Sequence, residues 1–64
     1  MERIVASYRV EGHQVDVVEL VDEDVAWYQL AVDTQLLPPE IQPVHGTGET
    51  EVGTIVRDWL ARQG

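Results

Sequence analysis

The 64-residue chain contains no cysteine, no lysine and no phenylalanine. Without cysteine it has no disulfide, no thiolate ligand for zinc and no thiol nucleophile. A domain of about 60 residues buries only about 60% of the surface that its unfolded chain exposes, so its stability as a monomer is marginal. The sequence therefore predicts one small acidic domain over residues 1–64, held by a well-packed core or by self-association.

Basic side chains are scarce. Four arginines stand against twelve carboxylates, which gives a net charge of −8. This charge repels nucleic-acid phosphates, so we expect no direct binding to DNA or RNA. The acidity favours solubility. The alternative is a partner protein with a basic surface, such as a nucleic-acid-binding protein whose site an acidic domain occupies.

Long hydrophobic runs are also missing. No apolar run approaches the ~20 residues that a membrane-spanning helix needs. The first residues enter a polar–apolar alternation directly, without the apolar stretch of a signal peptide. We therefore expect a cytoplasmic protein without a membrane partner.

The alternation of residues 3–10 has the period of two that is typical of a half-buried strand. Gly12-His13 resembles the two-residue loop of a type II′ hairpin, in which Glu11 pairs with Gln14. This register predicts three apolar pairs on one face and two charge pairs on the other: Val10–Val15, Tyr8–Val17 and Ile4–Val21, then Arg9–Asp16 and Arg3–Asp22. Cross-strand pairs of opposite charge are favourable, which supports the register.

Residues 25–32 are rich in branched and aromatic side chains and predict a third strand. With Glu23-Asp24 as a two-residue loop, the second and third strands pair as Val21–Ala26, Glu19–Tyr28, Val17–Leu30 and Val15–Val32. Residues 34–48 contain all three prolines and two glycines, and predict an extended connector without strand or helix.

The last segment carries an apolar stripe with helical spacing: Val52, Ile55, Val56, Trp59 and Leu60. Gly53 is unfavourable inside a helix, and we expect it to let the helix approach the sheet closely. The predicted fold is α+β: a three-stranded antiparallel meander, a connector and one C-terminal helix packed on one face (βββα).

One helix covers only one face of such a sheet, and the second face is also apolar. Its apolar residues form the candidate interaction surface: Val5, Val18, Leu20, Val25, Trp27 and Ala31. Exposed apolar patches often mark interaction sites, and tryptophan is a common hot-spot residue. We expect the chain to self-associate through this face, with an isologous dimer favoured. The competing interpretation is that the connector folds over the face.

Residues that perform chemistry are few and scattered. His13 falls in a predicted turn, His45 in the connector, and Ser7 in the middle of a strand. The acidic turn 22–24 lacks the spaced ligands of a calcium loop. The sequence therefore predicts no enzyme, cofactor or metal site. It favours a non-enzymatic interaction module that self-associates, with an acidic inhibitor or nucleic-acid mimic that binds a basic partner protein as the alternative.

Overall fold

The computed structural model describes residues 1–43 and 46–63. Four antiparallel strands form one sheet in the order β1-β2-β3-β4, followed by a C-terminal helix. The elements are β1 (Glu2–Val10), β2 (His13–Asp22), β3 (Val25–Val32), β4 (Gln35–Leu36) and α1 (Glu49–Gln63). The α+β class with an antiparallel sheet and one C-terminal helix is confirmed. The predicted number of three strands is wrong. His45, which was assigned to the connector, lies outside the described residues.

The extra strand β4 lies where an extended connector was predicted. Asp33 and Thr34 have φ values of 51° and 70°, so both residues of this two-residue turn are left-handed. Such turns match the twist of a β-hairpin. The turn sets Leu36 against Ala31. Pro38 and Pro39 follow, and the strand is short because proline has no N–H to donate to a sheet.

The turn between β1 and β2 is placed one residue earlier than the sequence suggested. Glu11 and Gly12 form the loop, with φ values of 51° and 80°, and Val10 pairs with His13. His13 therefore begins β2 instead of lying in the turn. A type I′ turn needs positive φ at both central residues, and glycine in second place suits it. The predicted type II′ loop and its pairing of Glu11 with Gln14 are wrong.

A β-bulge at Val5 shifts the register of β1 further. Ile4 pairs with Val18 and Ala6 with Val17, so Val5 has no partner. A bulge adds one residue to one strand only. Residues before it therefore change face, and Ile4 leaves the core side. The predicted pairs Val10–Val15, Tyr8–Val17 and Ile4–Val21, like both charge pairs, are wrong.

The pairing of β2 with β3 is confirmed. The structure has all four predicted pairs and the two-residue loop Glu23-Asp24, with Asp22 opposite Val25. Glu23 has a φ of 56°, so this turn reaches a left-handed conformation without glycine.

The core lies between α1 and the sheet face that the sequence indicated. Val15, Val17, Leu30, Val52 and Val56 are fully buried. The rest of the cluster is Val10, Val32 and Leu37, with Ala6, Tyr8, Tyr28, Ile41, Ile55, Trp59 and Leu60 packed around it. The predicted helical stripe is thus in the core or against it. Ala26, by contrast, is exposed near the turn between β2 and β3.

Gly53 serves a different purpose from the predicted close approach to the sheet. It is buried, and a Cβ at this position would meet the Arg57 guanidinium at 3.0 Å. The missing side chain leaves room for Arg57 to fold back along the helix. The Nε of Arg57 donates a hydrogen bond to the Glu11 carboxylate at 3.0 Å. Arg57 therefore passes next to Gly53 and joins α1 to the first turn by an ion pair with Glu11.

Candidate functional site: the open sheet face

The sheet face opposite α1, here called the open face, presents the side chains that alternate with the core residues. Its apolar residues are Ile4, Val18, Leu20, Val25, Trp27, Ala31 and Leu36, as the register places them. Five of the six predicted surface residues lie together there. Val5, the sixth, is the bulge residue and has no partner on β2.

Two members of the open face were missed by sequence reasoning. Ile4 reaches it because of the bulge, which has no signature in the alternating sequence. Leu36 reaches it through β4. Both side chains are well exposed, Ile4 at 61% and Leu36 at 52%. The open face is therefore wider than predicted and extends to both edges of the sheet.

The connector does not cover the open face in the part of the chain that the structure describes. Leu37 and Ile41 pack with the core on the side of α1. The Leu37 amide donates a hydrogen bond to the Leu30 carbonyl at 2.8 Å, which keeps this segment alongside β3. Leu36 is the one connector leucine that joins the open face.

Three rows of residues run across the strands of the open face. The central row is Ile4, Val18 and Gln29. The tip row, nearer the turn between β2 and β3, is Glu2, Leu20 and Trp27. The base row is Ser7, Asp16, Ala31 and Leu36.

Trp27 and two shallow depressions give the open face its relief. Trp27 is half-buried in the tip row. One depression of about 380 Å³ lies over the central and base rows, with Ile4, Val18, Ala31 and Leu36 in its lining, and it reaches Glu2 of the tip row. A second depression of about 340 Å³ lies at the tip row, where Leu20 and Trp27 line it.

Gln29 is the polar residue in the middle of the face and is 9% exposed. Its side-chain amide donates a hydrogen bond to the Leu37 carbonyl at 3.3 Å. Its side-chain oxygen accepts a long hydrogen bond of 3.4 Å from the Trp27 indole. Both polar atoms of the Gln29 side chain have hydrogen-bond partners within the protein. Gln29 therefore does not require hydrogen bonds to water.

Carboxylates surround the apolar residues of the open face. Glu2, Asp16 and Asp22 take part in none of the ion pairs that the described residues form. Asp16 instead accepts hydrogen bonds from the Ser7 hydroxyl at 2.7 Å and from the Gln14 amide at 3.1 Å.

The arginines do not neutralise these carboxylates. Arg3 donates a hydrogen bond to Glu19 at 2.8 Å. Arg62 pairs with Asp58 along α1. Arg9 shares the open side of β1 by alternation, and its guanidinium donates to the Gly12 carbonyl at 3.1 Å.

Away from the open face, His13 and Asp33 form a contact between two titratable side chains. The His13 Nδ1 lies 2.7 Å from the Asp33 carboxylate, and the Gln14 amide donates to the same carboxylate at 3.2 Å. The hydrogen bond with His13 and that from Gln14 lower the pKa of Asp33 below its ordinary value. This contact joins the start of β2 to the turn after β3. Within residues 1–43 and 46–63, no group of three or more His, Asp or Glu side chains is placed to hold a metal ion.

The fold and site define a small α+β protein with one helix-covered and one open sheet face. No family model, curated protein or solved structure shows significant similarity to this chain. Among the residues described, no helix is long and apolar enough to cross a membrane.

Proposed function

We propose that this protein is a non-enzymatic interaction module that self-associates through its open face. The observation that carries the proposal is the exposure of large apolar side chains on this face: Ile4 on β1, Val25 on β3 and Leu36 on β4, with the half-buried Trp27 among them. Ile4 and Val25 are each 61% exposed. Large exposed apolar surfaces are uncommon on monomers and usually mark interaction sites.

The dimensions of the open face suit a small dimer interface. Three long strands spaced ~4.8 Å apart are roughly 14 Å wide, a ten-residue strand is roughly 33 Å long, and the two-residue strand β4 adds little. The projected area is therefore ~500 Å² on each partner, so two copies together reach the ~1,000 Å² that a specific interface needs. Burial of this surface would increase the apolar area removed from water, which is small in a 64-residue chain.

The exposed edge of β1 is a weaker candidate than the open face for the contact between two copies. An edge strand offers unpaired backbone groups to another strand, and bulges are one device that prevents such pairing. The bulge at Val5 interrupts β1 between Ile4 and Ala6. A second copy therefore gains more from the face than from the edge.

The test compares Trp27→Glu with Ala26→Glu by sedimentation equilibrium. Both variants place one new carboxylate on β3, but Ala26 is exposed on the opposite side of the sheet. We expect the wild type and Ala26→Glu to sediment as dimers, twice the chain mass of 7.2 kDa, and Trp27→Glu as a monomer. A monomeric wild type at high concentration would refute self-association.

A second candidate function is binding to a basic protein, as an inhibitor or nucleic-acid mimic. The observation that favours it is that Asp16 and Asp22 are not neutralised by the arginines expected to pair with them. Titration with an oligoarginine peptide tests it. Tight, salt-sensitive binding that weakens in the Asp16→Asn/Asp22→Asn variant would support this function. Equal binding by the variant would count against it.

A further inference from the structure

We propose that the outer edge of β3, from Val25 to Gln29, binds an extended peptide segment of another protein as an additional antiparallel strand. The peptide lies in line with β4 and is recognised by main-chain hydrogen bonds, by apolar contacts and by a basic residue near its C-terminal end. The inference goes beyond the proposed self-association and does not depend on it, because this edge and the open face are different surfaces.

β4 covers only part of the outer edge of β3. It pairs with Ala31 and Val32 alone, and the Leu37 amide then donates a hydrogen bond to the Leu30 carbonyl at 2.8 Å. Among the described residues, no strand lies beside the stretch 25–29 on its outer side. This stretch is about 17 Å long, which is enough for a short peptide strand.

The backbone groups of this stretch alternate in direction, and those of Ala26 and Tyr28 point outwards. The Val21 amide donates to the Met1 carbonyl at 2.8 Å, and the Met1 ammonium donates to the Val21 carbonyl at 2.9 Å. Val21 therefore directs both groups towards β1, so its pair with Ala26 is a non-hydrogen-bonded one. The outward groups of Ala26 and Tyr28 have no backbone partner within residues 1–43 and 46–63.

The two edges of the sheet differ in their protection against strand pairing. Bulges, charges and prolines are the usual devices that blunt an edge. The edge of β1 has the bulge at Val5 and carries Arg3 and Arg9. The stretch 25–29 has a regular register with β2 and contains neither a charged residue nor a proline. It is therefore the edge that is ready to accept another strand.

The side chains beside this edge define the chemistry of the peptide. Val25 is 61% exposed and Trp27 is half-buried, so apolar side chains on alternate peptide residues gain contact with them. The turn of Asp22, Glu23 and Asp24 stands at the end of the edge, and its carboxylates form no ion pair among the described residues. An antiparallel peptide reaches this turn with its C-terminal end, where arginine or lysine is favoured.

A second copy of the chain fits this edge poorly. Two β3 edges pair in antiparallel fashion when Ala26 lies opposite the partner's Tyr28. The same register sets the partner's Leu30 opposite Asp24. The partner's Leu37, which is bound to that Leu30 carbonyl, then falls on the position of Asp24 itself. A short peptide has no such neighbouring segment, so it fits where a second copy does not.

The test uses an acetylated peptide in which threonine and valine alternate and which ends in arginine, with binding measured by calorimetry. With the valines beside Trp27, the threonine N–H groups point at β3. Methylation of the threonine nitrogens should abolish binding, whereas methylation of the valine nitrogens, which point to solvent, should not. Equal binding by the two methylated peptides, or no binding by the unmethylated one, would overturn the proposal.

Ala26→Pro tests the same hydrogen bonds from the side of the protein. Proline removes the outward N–H and leaves the ladder with β2 intact, a position in which edge strands tolerate it. Ala26→Pro should raise the dissociation constant of the peptide roughly three- to tenfold, as expected for one backbone hydrogen bond. The matched control Ala26→Val keeps the N–H and should bind like the wild type. Equal affinity of both variants would count against the edge.

Amide hydrogen exchange locates the bound peptide. The amides of Ala26 and Tyr28 should exchange rapidly in the protein alone and slowly with the peptide, while those of Trp27 and Gln29 stay slow in both. Protection of Ala26 and Tyr28 without peptide would overturn the proposal. Protection that is lost on dilution would identify a second copy as the occupant, and protection that persists would identify the chain itself. Self-association through the open face is measured separately, by sedimentation.

Discussion

The helix-covered face and the open face belong to the same strands, and successive residues supply them in alternation. On the covered side, Val15, Val17 and Leu30 are fully buried beneath α1. On the open side, Val18 and Ala31 are 8% and 6% exposed, while Val25 stays 61% exposed. The difference shows that these strands carry apolar residues on both faces, although α1 covers only one of them.

The two sides also differ in charge. Arg57 and Arg62 pair with carboxylates of the first turn and of α1. Around the open face, Glu2, Asp16 and Asp22 have no such partner in the ranges 1–43 and 46–63. Among the described residues the helix side thus has two ion pairs, although Glu49 and Glu51 in the first turn of α1 take part in neither. The open face has an acidic rim and one arginine, Arg9, at its far end.

The largest difference between the faces should appear when equivalent apolar groups are removed from each. Leu30→Ala should lower the free energy of unfolding by about 2–5 kcal/mol, because it leaves a cavity in the core. Ile4→Ala, at a 61% exposed position, should change the unfolding of the dilute monomer by only about 0.5 kcal/mol. Urea unfolding of both variants at low concentration measures these effects. Equal losses would mean that the open face is part of the folding core.

A smaller effect on stability is expected at the turn after β3, where Asp33 contacts His13 at the start of β2. The pKa of Asp33 is held below 3.8 by its hydrogen bonds with His13 and Gln14. A lowered pKa in the folded state means that the ionised carboxylate stabilises the fold above pH 3.8, and that this contribution is lost as the pH falls through the folded value. Asp33→Asn should therefore unfold at lower urea than the wild type near neutral pH.

The same comparison at acid pH supplies the control. The difference between the wild type and Asp33→Asn should shrink as the pH falls below 3.8. A difference that is constant with pH would show that the ionised carboxylate is not what stabilises the turn. The loss should be smaller than that of Leu30→Ala, because His13 and Asp33 are both solvent-accessible.

Much of the fold follows from the sequence because apolar alternation fixes which residues share a face. The β2–β3 register was predictable from the valines of β2, since a slip of one residue would expose them. The spacing of Val52 and Val56 likewise identified the buried side of α1. These features depend on local periodicity, which can be read directly from the chain.

The errors arise where the backbone departs from regular geometry. The bulge at Val5 interrupts no sequence pattern, so the continuous alternation placed Ile4 on the wrong face. The turn at Glu11-Gly12 depends on left-handed backbone at a glutamate, which its composition does not suggest. Leu36 was missed because a two-residue strand next to prolines has no measurable period. The candidate surface was therefore found at its centre, around Trp27, but not at its edges.

The most direct test of the central claim is the fluorescence of Trp27 on dilution. The chain has two tryptophans, and Trp59 packs against the core, so Trp59→Phe leaves Trp27 as the reporter. We predict a red shift of Trp27 emission as Trp59→Phe is diluted and its dimer dissociates, and no such shift in Trp27→Phe. If sedimentation shows dissociation over the same range while Trp27 emission stays constant, the open face is not the interface.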